Sequence, residues 1–173
     1  MALAITRIGH PLLKRPTAPV TEFGEAIERH LPEMLDIMRE EGGVGLAANQ
    51  AGLDLSFAMV VANVDDDDRE EDEILVLVNP EIVESSKKTV IIEEGCLSVP
   101  GLRADVTRPE RIRVRYQDIR GETQELETGD FLARVIQHEV DHLRGVLFIE
   151  RLSSAKKALI RREVEEIKAK YAQ

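Results

Sequence analysis

Residues 130–143 read Asp-Phe-Leu-Ala-Arg-Val-Ile-Gln-His-Glu-Val-Asp-His-Leu. They predict a helix from about Asp130 to Leu143, with Gly145 at its C-terminal cap. Positions i and i+4 project from the same face of a helix, so His138 and His142 can reach one metal ion. Glu139 follows His138 and can reach a water beside that ion. The segment therefore predicts two metal ligands and a proton shuttle.

The alternative for this segment is a surface helix that merely carries two histidines. Val135, Ile136 and Leu143 argue against it, because they place this face near the core. A catalytic metal usually has three protein ligands and one open position, so a third ligand is needed. The motif that supplies a third histidine fails here, because Phe148 occupies that position. Two alternatives remain, Cys96 or a downstream helical glutamate from the set Glu163, Glu165 and Glu166.

Cys96 lies in the segment Glu94–Ser98, just after a predicted strand. A lone cysteine is more commonly an inert buried residue than a ligand. Gly95 beside it favours a ligand role for Cys96, because glycine lets the backbone approach another group closely. A metal-bound thiolate would give a Cys-His-His site. A second segment, 43–50 (Gly-Val-Gly-Leu-Ala-Ala-Asn-Gln), is a weak signal by itself, and Gln50 matters only if its amide approaches the metal.

The remaining sequence predicts an α+β fold, because strands and helices are segregated along the chain. Prolines make the first 20 residues irregular. A helix from about Glu22 to Glu40 follows, capped by Thr21 and kinked or divided at Pro32. A last helix starts near Ser154. Strands are predicted at residues 57–64, 74–78, 89–92 and 111–116, a turn at 118–121, and an apolar helical stripe at Ile160, Val164, Ile167 and Tyr171.

Composition limits the classes of function. The 173 residues favour one domain over residues 1–173, and the net charge of −10 argues against a broad DNA-binding face. The acidic run at 65–73 reads as a solvated loop. One cysteine excludes an internal disulfide framework and fits a reducing compartment. Neither a secretory signal nor a membrane-spanning run is recognisable, so we expect a cytoplasmic protein.

Three segments together resemble the peptide deformylase family. They are the Gly-x-Gly-Leu-Ala-Ala-x-Gln loop at 43–50, Glu-Gly-Cys-Leu-Ser at 94–98 and Gln-His-Glu-x-Asp-His-Leu at 137–143, in the family's order. The resemblance extends from Gly9-His10-Pro11 to a strand at Leu147-Phe148. It implies mixed, mostly antiparallel sheets around a central metal-binding helix, with an N-terminal and a C-terminal helix.

The resemblance also implies a role for each site residue. Cys96, His138 and His142 would be metal ligands, and Glu139 the general base and then the acid. Gln50 and the backbone N–H of Leu97 would hold the oxyanion. Gly45 and Gly95 would hydrogen-bond the substrate backbone, Val44, Ile92, Val135 and the His138 ring would line the methionine pocket, and Arg103 would lie at the mouth.

The implied activity is hydrolysis of the N-formyl group from the initiator methionine of nascent polypeptides, with release of formate. The implied cofactor is one divalent ion, Fe²⁺ in the cell, with Zn²⁺, Ni²⁺ or Co²⁺ accepted in a purified sample. A monomer is implied. Basic residues on the last helix allow ribosome contact, although they are equally typical of a solvated helix. Two alternatives stay open: a zinc-type peptidase with a downstream glutamate ligand, and a non-catalytic ribosome-associated homologue.

Overall fold

Two antiparallel sheets and four α-helices make up the described part, residues 2–172, of the computed structural model. The strands are β1 (Gly45–Ala47), β2 (Phe57–Val61), β3 (Ile74–Ser85), β4 (Thr89–Cys96), β5 (Val99–Pro109), β6 (Ile112–Gln117) and β7 (Thr123–Thr128). The helices are α1 (Glu25–Glu28), α2 (Leu31–Glu40), α3 (Asp130–Leu143) and α4 (Ser154–Lys170). The predicted α+β class with mostly antiparallel sheets is confirmed. None of the described helices is long and apolar enough to cross a membrane.

Helix α3 lies between the two sheets. The larger sheet has the order β1-β2-β3-β6-β7, and β4 and β5 form a separate hairpin. Apolar residues of α3, including Ile136 and Val140, pack in one cluster with Val60 and Val114 of the larger sheet. On the hairpin side, the Arg134 guanidinium donates to backbone carbonyls of both hairpin strands, at 2.8 and 2.9 Å. One helix therefore joins the two sheets through apolar packing on one side and polar bonds on the other.

The C-terminal end of α3 is set by Gly145. This glycine has φ +78°, a left-handed conformation that costs glycine little, and its N–H donates to the His142 carbonyl at 3.0 Å. A Cβ atom there would lie 2.5 Å from the backbone nitrogen of Arg15. The predicted helix, with its cap at Gly145, is therefore confirmed at both ends.

The N-terminal prediction is right in outline and wrong in its cap. The chain is irregular up to α1 apart from a 3-10 helix at Pro11–Lys14, and the helical region divides into α1 and α2, with Pro32 in the first turn of α2. Thr21 does not cap a helix, because α1 begins only after Gly24. The Gly24 N–H donates to the Ile119 carbonyl at 2.6 Å, which holds residues 21–24 outside the helix.

Several secondary-structure elements were not predicted correctly from the sequence. Strands β1, β5 and β7 were not predicted, and the expected strand at Leu147-Phe148 is wrong, because Phe148–Arg151 forms a 3-10 helix. The predicted turn at 118–121 is confirmed by the Gly121 N–H, which donates to the Asp118 carbonyl. The apolar stripe on α4 is confirmed too. Val164 is buried against β5, and the other stripe residues, Ile160, Ile167 and Tyr171, are half-buried.

The acidic loop, which sequence reasoning treated as merely solvated, contains one structural residue. The carboxylate of Asp65 accepts hydrogen bonds from the backbone N–H groups of Phe131 and Leu132, at 3.0 and 2.9 Å. These are first-turn donors of α3, and Gly129 at the N-cap has no side chain to satisfy them. Asp65 therefore caps from a distance the helix that carries both histidines.

We expect Asp65→Ala to lower the free energy of unfolding by about 1 kcal/mol, because first-turn donors of α3 lose their acceptor. Asp67→Ala is the matched control, because it removes the same charge from an exposed position in the same loop. Urea unfolding of both variants is the measurement. Equal destabilisation by the two substitutions would contradict the capping role.

Candidate metal centre

Three potential ligands converge at the end of β4 and on one face of α3. The Cys96 Sγ lies 3.2 Å from the His142 Nε2, which lies 3.2 Å from the His138 Nε2. The ligand atoms of all three residues lie within 4.8 Å of one another. The predicted helical i, i+4 placement brings the two imidazoles together, and the β4–β5 turn brings in the thiol.

Glu94 fixes the orientation of the His138 ring. Its carboxylate lies 2.8 Å from the His138 Nδ1, which leaves the Nε2 facing Cys96 and His142. Arg108 donates to both oxygens of the same carboxylate, at 2.7 and 3.0 Å, and Arg134 donates to one of them at 2.7 Å. A hydrogen bond from a carboxylate to the distal ring nitrogen is the usual support of a metal-binding histidine.

The charge network continues along the same side of α3. Arg108 also donates to the Asp141 carboxylate at 2.8 Å, and Arg151 donates to both oxygens of that carboxylate. The side chains of Arg108, Glu94 and Asp141 are at most 8% exposed. Burial alone would raise the pKa of Glu94, but hydrogen bonds from His138 and Arg108 hold that pKa well below its usual range.

The chemistry of the donors fits a cation. Burial lowers the pKa of His142 well below its ordinary value, so its ring is neutral, as a metal ligand must be. Burial also disfavours charge on His138, yet hydrogen bonds with Cys96 and Glu94 raise its pKa to about 10. The surroundings of His138 thus stabilise a positive charge. A thiolate and two imidazoles suit Zn²⁺, Fe²⁺, Ni²⁺ or Co²⁺.

Glu139 lies beside this centre, buried at 4% exposure. Burial raises the pKa of its carboxyl to about 7, although the neighbouring His138 charge acts in the opposite direction. Among the described residues, its Oε2 has no hydrogen-bond partner. Gly45 makes this placement possible, because a Cβ at that position would lie 2.6 Å from the Glu139 Oε1. A carboxyl group with a pKa near neutrality can both accept and donate a proton.

The Gln50 amide faces the same space. Its Oε1 accepts from the Ala47 N–H at 2.9 Å, while its Nε2 donates to the Ser98 Oγ at 3.2 Å and lies 3.7 Å from the Cys96 Sγ. These contacts orient the NH₂ group toward the three ligands. The fold therefore does bring the amide to the centre, which was the condition that the sequence left open.

A cleft of about 510 Å³ opens onto the centre. Most of the residues predicted for the site line it: Val44, Gly45, Gln50, Gly95, Cys96, Leu97, Arg103, Val135, His138 and Glu139. His142 is fully buried beneath the cleft. Ile92, two residues before Glu94 on β4, is half-buried opposite Val106, and its place in the methionine pocket stays a prediction.

Comparison with known proteins identifies the family of this chain. The sequence profile of the family described as polypeptide deformylase matches residues 2–158. The chain belongs to the peptide deformylase family. A peptide deformylase from Salinibacter ruber is 46% identical over 173 residues, covering 96% of this chain and 89% of the relative. One from Thermotoga neapolitana is 43% identical over 160 residues, covering 92% of each chain.

Solved structures of the family have the same fold. A plant peptide deformylase superposes with a TM-score of 0.90 at 36% identity, covering 98% of this chain and 90% of that one. The Thermotoga maritima peptide deformylase gives a TM-score of 0.80 at 40% identity, covering 88% of this chain and 99% of that one. The expected family is therefore confirmed over nearly the whole chain.

The rival set of ligands lies elsewhere. Glu163, Glu165 and Glu166 are exposed on α4, and the last two pair with Lys168 and Arg162. The cluster of potential metal ligands in residues 2–172 is the one that contains Cys96. The zinc-peptidase alternative therefore loses its third ligand.

Sequence reasoning missed the buried charges around the histidines and part of the cleft. Glu94 and Asp141 entered the sequence analysis only as parts of motifs, and Arg108 did not enter it. Arg134 and Asp141 did offer a signal, because each is a charged residue within a helix face predicted to be near the core. Phe131 and Leu102, which line the cleft, had no signal, because neither adjoins one of the three motifs.

We expect Arg108→Met to lower the free energy of unfolding by about 3–5 kcal/mol, because it leaves the Glu94 and Asp141 carboxylates buried without their shared cation. Urea unfolding measures the change. Arg115→Met is the control: Arg115 pairs with Glu125 on the exposed face of β6, and its loss should cost no more than about 0.5 kcal/mol. A similar decrease in the free energy of unfolding in both variants would show that the buried network stabilises the fold no more than an exposed ion pair does.

Proposed function

We propose that this chain removes the N-formyl group from the initiator methionine of nascent polypeptides, and releases formate, at the centre formed by Cys96, His138 and His142. Membership of the peptide deformylase family carries the reaction. The convergence of one thiol and two imidazoles at the base of the cleft supports the assignment of the site. A non-catalytic homologue is disfavoured, since Glu139 and Gln50 both face the centre.

The proposed cofactor is one divalent ion on Cys96, His138 and His142, which makes α3 the metal-binding helix of the fold. The mixed thiolate and imidazole donors suit several transition metals. Ferrous iron in the cell is the proposal that follows from the family resemblance, with Zn²⁺, Ni²⁺ or Co²⁺ as replacements in a purified sample. Such an ion would supply Lewis-acid chemistry, which acidifies water and polarises a carbonyl group.

Glu139 is the proposed general base and acid. Its unpartnered Oε2 can accept a proton from the water that attacks the formyl carbon. The same carboxyl group then returns the proton to the departing amine nitrogen. Because burial raises the pKa of Glu139 to about 7, both transfers are feasible near neutral pH.

Gln50 and the backbone N–H of Leu97 are the proposed donors to the oxyanion. Negative charge develops on the formyl oxygen during attack, and fixed donors stabilise it more than water does. Gln50 is well suited, because contacts with Ala47 and Ser98 hold its amide before substrate arrives. Loss of one such donor typically costs about 3–4 kcal/mol of barrier.

The remaining lining residues are proposed to orient the peptide. Val44, Ile92, Val135 and the His138 ring would receive the methionine side chain, and Leu102 and Phe131 add apolar surface to the cleft. Gly45 and Gly95 would present backbone groups to the substrate backbone. At the mouth, Arg103 pairs with Glu93 at 2.8 Å and would meet residues after the methionine.

We further propose that residues 1–173 act as a single catalytic domain, as a monomer in the cytoplasm, where nascent chains are made. The three exposed large apolar side chains in the described range lie on three different elements: Ile91 on β4, Phe131 on α3 and Leu159 on α4. Such scattered residues are ordinary for a monomer.

Contact with the ribosome is proposed through α4. Its exposed basic residues, which contrast with the net charge of −10, are Lys156, Lys157, Arg161, Arg162 and Lys170. Such residues would meet RNA phosphates, with an affinity that falls as salt rises. Lys157 and Arg161 also border a groove of about 380 Å³ between α4 and the 3-10 helix.

Anaerobic hydrolysis of a formyl-methionyl tripeptide by the nickel- or iron-loaded protein tests the reaction and the role of Glu139. We expect formate release by the wild type, and a kcat lower by roughly 100- to 10,000-fold in Glu139→Gln, because that substitution removes the proton carrier. If the folded, fully metallated wild type released no formate, the proposed activity would be contradicted. Unchanged turnover in Glu139→Gln would remove only the assigned role.

Metal analysis after dialysis tests the ligand set. Cys96→Ala should lose its bound ion, because two imidazoles alone hold a divalent metal weakly, whereas Glu163→Ala should keep about one ion per chain. The reverse result, with the ion kept by Cys96→Ala and lost by Glu163→Ala, would restore the peptidase alternative.

Sedimentation with ribosomes tests the α4 surface. Replacing Lys157 and Arg161 together by Glu should lower the bound fraction at least several-fold at low salt, because attraction to phosphates becomes repulsion. Replacing Lys87 and Arg120 by Glu makes the same change of charge at exposed positions elsewhere. Equal binding by wild type and both variants would exclude the proposed contact.

A further inference from the structure

The N-terminal segment Thr6–Ile8 lies between the two parts of the chain that supply the proposed oxyanion donors. The Thr6 N–H donates to the Gln50 carbonyl at 2.7 Å, and the Ile8 N–H donates to the Ser98 carbonyl at 2.8 Å. Between them, the Arg7 guanidinium donates to the Leu97 carbonyl. Three successive residues therefore bond to Gln50 on one side and to the 97–98 segment on the other.

This segment is built to be rigid. Thr6 and Ile8 are buried, and the Thr6 hydroxyl adds hydrogen bonds to the carbonyls of Asn49 and Gln50, at 2.9 and 3.2 Å. Arg7 between them is more accessible to solvent, with a side chain that is 19% exposed.

Arg7 is itself held from two further directions. Its Nη2 lies 3.0 Å from the Glu41 carboxylate, and its guanidinium lies 5.3 Å from the centre of the Tyr171 ring, at the end of α4. The planar guanidinium is therefore fixed by an ion pair and an aromatic face while it donates to Leu97. Nothing in the proposed chemistry uses this arrangement.

We propose that Thr6–Ile8 is a brace that sets the separation of the two oxyanion donors, with Arg7 as its positioning residue. This inference rests on the proposed roles of Gln50 and Leu97. Arg7 would act through Leu97 and would not itself contact the substrate. By fixing the carbonyl of Leu97, it restricts the backbone torsions that determine where the Leu97 N–H points. Fixed placement matters because donors stabilise a developing charge only when they already face its position.

The test compares Arg7→Met, Arg7→Lys and the control Arg15→Met by steady-state hydrolysis of a formyl-methionyl tripeptide. Arg15 is a nearby arginine whose exposed ion pair with Asp54 lies outside the brace. We expect kcat to fall roughly 10- to 100-fold in Arg7→Met, part of the loss seen when a donor is removed, with KM within about twofold. Arg7→Lys should recover much of kcat, and Arg15→Met should match the wild type.

Two further measurements make the result specific. Metal stoichiometry in Arg7→Met should equal that of the wild type, because loss of the ion would lower kcat without any brace. Thr6→Val keeps the backbone N–H bond to Gln50 and removes the hydroxyl bonds, so it should lower kcat several-fold at constant KM even if Arg7→Met folds poorly.

The brace is overturned if kcat is unchanged in both Arg7→Met and Thr6→Val, or if the loss follows metal content. A wild type that releases no formate would instead overturn the proposed function. The two failures are distinguishable, because the first requires an active wild type and an impaired Glu139→Gln variant.

Discussion

The Glu94 carboxylate joins the two parts of the protein that make the metal centre. It lies on the hairpin strand that ends at Cys96, and it contacts His138 and Arg134 on α3 and Arg108 on β5. A buried carboxylate is costly unless its charge is compensated, and here two guanidinium groups and an imidazole compensate it. Hairpin and helix must therefore dock in the one arrangement that satisfies Glu94. That arrangement places the thiol beside both imidazoles.

The same constraint explains why α3 lies where it does. Its apolar side packs on the larger sheet, while Arg134, Gln137, His138 and Asp141 on the other side pair with the hairpin and its surroundings. Asp65 and Gly145 fix its two ends. The buried charged residues thus fix the rotation of α3 about its axis, and the caps fix where it begins and ends. A rigid helix of this kind keeps the ligands and Glu139 in a constant geometry.

How far the sequence could predict this arrangement depended on the range of the interactions. Helix α3 and its two histidines followed from local periodicity, and the family resemblance predicted most of the residues that line the cleft, although not Leu102 and Phe131. Strand β5 was missed because Pro100 and Gly101 interrupt its pattern, while its pairing with β4 is a long-range property. Arg108 and Asp65 could not be identified as structural, because a charge shows its partner only after distant segments meet. Thr21 failed as a cap because a turn elsewhere in the chain holds Gly24.

The central claim is that a thiol and two imidazoles share one ion. X-ray absorption spectroscopy of the zinc-loaded protein in solution tests it most directly, because the first coordination shell reports each donor type. We expect one sulfur at about 2.3 Å and two imidazole nitrogens at about 2.0–2.1 Å, the distances typical of zinc with such ligands. A shell of nitrogen and oxygen donors with no sulfur would contradict it.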